Sequence, residues 1–220
     1  MADTQNNGKN FYKSLFTTKM QITHNGFVGI SGLYYSNYDD EFVKIALEKY
    51  KSLMINYALP SSLLVFPSCI TRLCLNLEDY NDFNLAELTA AMASSNIEEL
   101  YISSHAAVYC NQFYCRLENL PPQIKKISIQ SGRDDIPLDG LHHGIVSVCI
   151  HTRYLSNSSF ENLPSSVVDL EIHIGDICDF STLNIPSSVR NLTISSFNAS
   201  NFNMTILKER FPHMNITLVS

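Results

Sequence analysis

A ten-residue phrase occurs twice in this chain, and no other feature constrains the fold as strongly. Leu163-Pro164-Ser165-Ser166-Val167-Val168-Asp169-Leu170-Glu171-Ile172 returns 22 residues later as Ile185-Pro186-Ser187-Ser188-Val189-Arg190-Asn191-Leu192-Thr193-Ile194. The shared pattern is apolar-Pro-Ser-Ser-Val-x-x-Leu-x-Ile. A unit of this length holds one strand and a return segment, and it cannot bury an apolar face alone. Stacked copies can bury one continuous core, so the period predicts a solenoid.

The strand part of the phrase, apolar-x-x-apolar-x-apolar, recurs along the chain. Its copies are Ile70-Leu73-Leu75, Ile97-Leu100-Ile102, Ile124-Ile127-Ile129, Ile145-Val148-Ile150, Val167-Leu170-Ile172, Val189-Leu192-Ile194 and a shortened Ile216-Leu218. The central residues 73, 100, 127, 148, 170, 192 and 216 are 27, 27, 21, 22, 22 and 24 residues apart. One such triplet is common by chance, but seven at a near-regular period are not. Pro67, Pro121-Pro122, Pro164, Pro186 and Pro212 precede five of them. Proline cannot donate to a strand ladder, so each marks the turn into a strand. The serines that follow can bond local backbone and hold that turn.

Alternation assigns the faces. In apolar-x-Leu-x-Ile the apolar residues share one side of a strand and the x residues share the other. With the copies in register, three columns line the outward face. The first is Arg72, Glu99, Lys126, Ser147, Asp169 and Asn191. The second is Cys74, Tyr101, Ser128, Cys149, Glu171 and Thr193. The third is Asn76, Ser103, Gln130, His151, His173 and Ser195.

Two domain segments follow. Residues 1–60 form an N-terminal segment with a polar start, short apolar runs split by glycine between Gln21 and Asn37 that fit one or two short strands or a packed loop, and a capping helix over about 40–57. Asp39-Asp40 opens that helix, Phe42 to Tyr57 supply an apolar face, and Pro60 stops it. Residues 61–220 form the repeat array. A further helix is predicted from Asp82 to Met92, and Met204–Arg210 begins a C-terminal cap over about 202–220. The fold class is therefore α/β, a solenoid with a curved parallel sheet of about seven strands, a helical N-terminal cap and a short C-terminal helix cap.

The segments Leu163–Ile172 and Ile185–Ile194, with Leu120-Pro121-Pro122-Gln123-Ile124 as a third, resemble the leucine-rich-repeat superfamily. They are similar to the LPX-type repeats of bacterial effectors and to the FNIP-type repeats of amoebae and large DNA viruses. The resemblance covers about Ser61 to the C-terminus and implies a protein-binding module, an effector acting in a host cell, or the substrate-recognition adaptor of a ubiquitin-ligase system that lacks a catalytic domain of its own. The family's asparagine after the strand is replaced by Glu78, His105, Gly132, Arg153, Gly175 and Phe197. No asparagine ladder can form, so the turns must be held in another way. Phe197-Asn198 and Phe202-Asn203 echo the FNIP pair without keeping its register.

Composition narrows the function classes. A net charge of −6 excludes a basic nucleic-acid footprint. No signal peptide or membrane-spanning run is evident, which implies a cytoplasmic protein or one translocated into a host cell by a signal-independent route. The six cysteines are then expected as thiols, and the Asn-x-Ser/Thr sites as chance in an Asn/Ser/Thr-rich chain. Cys110-x₄-Cys115 reads as thiol packing, and His142-His143 between two glycines as an exposed turn. Phosphate-binding glycine loops, nucleophile elbows and His-Glu-x-x-His helices are absent.

The most suggestive cluster is His151 beside His173, with Cys149, Asp169 and Glu171 near them. A sheet face points side chains in parallel, which works against metal convergence, and a Cys–His pair needs a third orienting group. Arg72, Glu99 and Lys126 alternate in sign and form either a cross-strand charge ladder or the charged rim of a site. The expectation is a monomer that binds a protein partner through Arg72, Glu99, Tyr101, Lys126, His151, Asp169, Glu171 and His173. It includes no catalytic residue, no metal, no cofactor, no nucleic acid and no membrane insertion. The competing reading is a metal-binding enzyme using His151 and His173.

Overall fold

The computed structural model describes residues 19–22, 28–31, 41–55, 66–76, 85–104, 117, 119–131, 138, 140–152, 160, 162–175, 183–196 and 204–219. Ten strands form one sheet in sequence order: β1 Lys19–Ile22, β2 Val28–Ser31, β3 Ser52–Ile55, β4 Arg72–Asn76, β5 Glu99–Ser104, β6 Lys126–Ser131, β7 Ser147–Thr152, β8 Asp169–Ile174, β9 Asn191–Ser196 and β10 Asn215–Val219. β1 and β2 pair antiparallel, and every later pair is parallel. Among the described residues three helices lie in connections: α1 Glu41–Tyr50, α2 Leu85–Ala93 and α3 Met204–Arg210. The architecture is a parallel-strand solenoid with few helices.

The register is the one the repeat dictates. Leu73 pairs with Leu100, Leu100 with Ile127, Ile127 with Val148, Val148 with Leu170, Leu170 with Leu192 and Leu192 with Ile216. A one-residue slip would turn the whole apolar set outward, so burial fixes this alignment. The entry residues Ile70, Ile97, Ile124, Ile145, Val167 and Val189 are completely buried. They join the inward strand residues in one core that runs from Ala46 to Met214.

Strand entry uses one device at β4, β6, β8 and β9. The carbonyl at the proline position accepts the N–H three residues on: Pro67 from Ile70, Pro121 from Ile124, Pro164 from Val167 and Pro186 from Val189, each at 3.0–3.1 Å. β7 lacks the proline, and His142 takes its place. Its carbonyl accepts the Ile145 N–H at 3.1 Å and its Nδ1 accepts the Gly144 N–H at 2.9 Å. A Cβ on Gly144 would lie 2.7 Å from that ring, so glycine is required there. His142-His143-Gly144, expected as an exposed turn, is thus a strand-entry turn with His142 half-buried.

Two further contacts hold coil to coil without an asparagine ladder. The carbonyl just before a strand accepts two N–H groups from the next coil: Val146 from Val168 and Asp169, and Val168 from Arg190 and Asn191. The residue just before the entry position reaches back to the preceding coil. Asn96 donates to the Ser68 carbonyl at 2.7 Å, Gln123 to Met92 at 2.8 Å and Ser166 to Ile145 at 2.7 Å.

The N-terminal part differs from the expectation in two ways. The helix expected over about 40–57 stops at Tyr50. Lys51 turns left-handed (φ 52°), its N–H bonds the Leu47 carbonyl at 2.7 Å, and β3 begins at Ser52. Leu53 and Ile55 are core residues of a strand rather than the last turns of a helix. α1 therefore connects β2 to β3, the sheet runs on across residue 60, and it has ten strands where about seven were expected. Asp39, Asp40, Tyr57 and Pro60 lie outside the described residues, as do Cys110, Cys115 and Cys178. α2 and α3 fall where the sequence puts them, at Leu85–Ala93 and Met204–Arg210. No helix among the described residues is long and apolar enough to cross a membrane.

Candidate functional site

The outward face of β4–β8 forms a groove of about 690 Å³. Six of the eight expected partner-binding residues line it: Arg72, Tyr101, Lys126, His151, Glu171 and His173. Glu99 stands behind two of them. Its carboxylate accepts the Tyr101 hydroxyl at 3.2 Å and sits 3.1 Å from the Lys126 ammonium. Burial, and then the Glu99 charge, push the Tyr101 hydroxyl above its usual range. Arg72 Nη2 donates to the Tyr50 carbonyl at 3.4 Å. Asp169 is outside the groove. It belongs to an exposed side-chain chain in which Asn191 donates to Asp169 at 2.6 Å and Asn215 donates to Asn191 at 3.1 Å.

The other end of the groove is built by β7 and β8. Register places His151 directly opposite His173 and Cys149 opposite Glu171. The two imidazoles stack with centroids 3.9 Å apart and planes 5° from parallel. Cys149 Sγ lies 3.3 Å from His151 Nε2, and His173 Nε2 lies 2.8 Å from Glu171 Oε1. Burial lowers the His151 pKa to about 4; the His173 ring beside it adds to the fall and Glu171 opposes it. Burial, with help from the Glu171 charge, pushes the Cys149 thiol up to about 12. At neutral pH the pair is therefore an uncharged thiol beside an uncharged imidazole.

The side chains on this face stay close to parallel, as expected, yet they are near one another. One ligand-capable atom from each of Cys149, His151 and His173 lies within 4.8 Å of the others. Asp169, expected near this cluster, points its carboxylate to Asn191 instead.

Several groove residues were not among those expected to bind. Cys74, Asn76, Ser103, Ser128 and Gln130 line it as well. They occupy the same x columns, so position alone could have found them, whereas a search for charge and aromatic character passes them over. Cys74 is buried, and that burial raises its thiol to about 11. The chain matches no protein-family profile, no curated protein and no solved structure.

Proposed function

We propose that this chain is a non-enzymatic protein-interaction module of leucine-rich-repeat type that takes its partner in the β4–β8 groove. The observation that carries this reading is the division of labour within each strand. Inward positions are buried and apolar apart from Ser131, Thr152 and Ser196 at the strand ends, while the x positions of five successive strands converge on one groove with varied chemistry. Tyr101 and Arg72 are of the residue types that anchor interfaces. The repeat phrase Pro-Ser-Ser-Val-x-x-Leu-x-Ile, through its resemblance to protein-binding repeats, supports the same class.

The geometry of Cys149 and His151 favours binding over nucleophilic catalysis. A reactive cysteine needs a thiol pKa below the usual range and a base that can hold its proton. Here burial moves the thiol up and the imidazole down, so a thiolate–imidazolium pair is strongly disfavoured.

The test is affinity capture with the intact chain, a Tyr101→Ala/His173→Ala double variant and a Lys208→Ala control on exposed α3. Partners held by the intact chain and the control should be lost from the double variant. Retention by the double variant would place binding elsewhere than the groove.

A further inference from the structure

We propose that Cys149, His151 and His173 form a binding site for a borderline-soft divalent transition-metal ion, zinc first among them. The proposal goes beyond partner binding and does not depend on it. It starts from register: β7 supplies Cys149 and His151 two residues apart on one face, and β8 sets His173 opposite His151. One thiolate and two imidazoles suit zinc, cobalt or copper and do not suit magnesium or calcium.

Distances agree with this donor set. Sulfur and nitrogen donors around tetrahedral zinc lie about 3.5 Å apart, given metal–ligand bonds of about 2.3 and 2.0 Å. Cys149 Sγ and His151 Nε2 are already 3.3 Å apart, and the third donor falls within 4.8 Å. The outer contact has the form a metal-bound histidine needs. Glu171 accepts from His173 Nε2, which makes Nδ1 the lone-pair nitrogen and the ligand atom.

One rearrangement is required. Stacked rings aim their lone pairs side by side, not at one point. His173 is the ring that swings, because its side chain keeps 32% of its surface in solvent at the groove rim. Water, or Glu171 in place of its bond to His173, completes four-coordination.

The exchange balances simply. The metal ion takes the place of the Cys149 thiol proton. A metal–sulfur bond forms, the S–H bond breaks, and one proton leaves to solvent without oxidation or reduction.

The experiment uses the full chain, stripped with chelator and kept reduced, and titrates cobalt(II) followed by zinc(II). The expected result is one equivalent of cobalt with a thiolate-to-cobalt charge-transfer band that zinc displaces, and release of one proton per metal. Cys149→Ser should remove the band. His173→Ala at the exposed rim should remove tight binding while leaving the far-ultraviolet circular dichroism unchanged, so it decides the matter should Cys149→Ser fail to fold. Glu171→Gln should weaken binding by about 10–100-fold, and Cys74→Ser should change nothing. No band in the intact chain, a band surviving Cys149→Ser, or binding unaffected by His173→Ala would each overturn the site.

Discussion

β8 carries two opposite faces within six residues. Leu170 and Ile172 point inward and are almost wholly buried; Asp169 and Glu171 point outward and differ in kind from their neighbours on β7 and β9, and His173 meets a like residue on β7 but a serine on β9. Along the two inner columns through Leu170 and Ile172 one aliphatic residue replaces another with no change of role, and only the column at the strand end, Thr152, Ile174 and Ser196, mixes in small polar residues. Along the outer columns Cys149 gives way to Glu171 and then Thr193, and His151 to His173 and then Ser195. The inner face is a structural constant set by burial. The outer face is free to vary and therefore carries whatever is specific to this molecule.

The inner face gives the largest predicted effect. Leu170→Asp places an unpaired charge where no water reaches, and such burial costs more than a domain's net stability unless the group neutralises. The variant should lose cooperative unfolding and its native circular dichroism. A folded Leu170→Asp protein would mean that the two faces are assigned the wrong way round. Ile172→Ala is the milder test. It leaves a cavity between Ile150 and Ile194 and should cost about 2–5 kcal/mol in denaturant melts. The matching outward change, Glu171→Ala, should cost well under that. Equal losses would erase the distinction between faces.

The inner face was legible in the sequence because burial leaves so few alternatives. Seven apolar triplets and an alternation of period two fix register to the residue, and Leu73 through Ile216 pair accordingly. At the N-terminus, short strands were legible around Val28–Ser31 only as an alternative to a packed loop, and β3 was not legible. Leu53 and Met54 satisfy a helical period as well as a strand, and the break between them and α1 is a left-handed lysine that no propensity announces. The fourth strand-entry turn was hidden for a related reason: a histidine ring and a close-packed glycine replace proline there. At the groove, sequence gave the columns but not their convergence. Whether Cys149, His151 and His173 meet depends on rotamers and on sheet shape, which alternation does not encode. Tyr101 and Glu99 illustrate the same limit, since their bond runs along one strand between alternate residues.

The outer face has its own cost, and pH exposes it. His151 titrates near 6.5 in an unfolded chain and about 4 in the folded one. Between those values the unfolded state binds a proton that the folded state refuses, so stability is complete above about pH 6.5 and falls as the pH drops towards 4. The facing groups are Cys149 on its own strand and His173 and Glu171 on β8, with uncharged Gln130 on β6. Discounted for the ring's partial contact with water, the loss is on the order of 1 kcal/mol by pH 4.5. Urea melts of the intact chain and His151→Gln at pH 7 and 4.5 should show the acid loss shrinking by about that amount in the variant. An unchanged acid loss would assign it to other groups and remove His151 as the sensitive point of this face.

The smallest effect belongs to the charged end of the groove, and it asks whether that end is scaffold or site. Glu99 meets Lys126 at 3.1 Å across adjacent strands, but the lysine side chain is 56% exposed, so water and salt screen the pair. A double-mutant cycle with Glu99→Gln and Lys126→Met should give a coupling of about 0.2–1 kcal/mol that shrinks in concentrated salt. A value in that range leaves the outer face nearly irrelevant to stability, so its residues are available for recognition at little cost to the fold. A salt-insensitive coupling above about 2 kcal/mol would mean that Glu99, tied also to Tyr101, is held in a water-poor network. The division between a structural inner face and a variable outer face would then fail at β5 and β6, and the constant part of the molecule would extend into the groove.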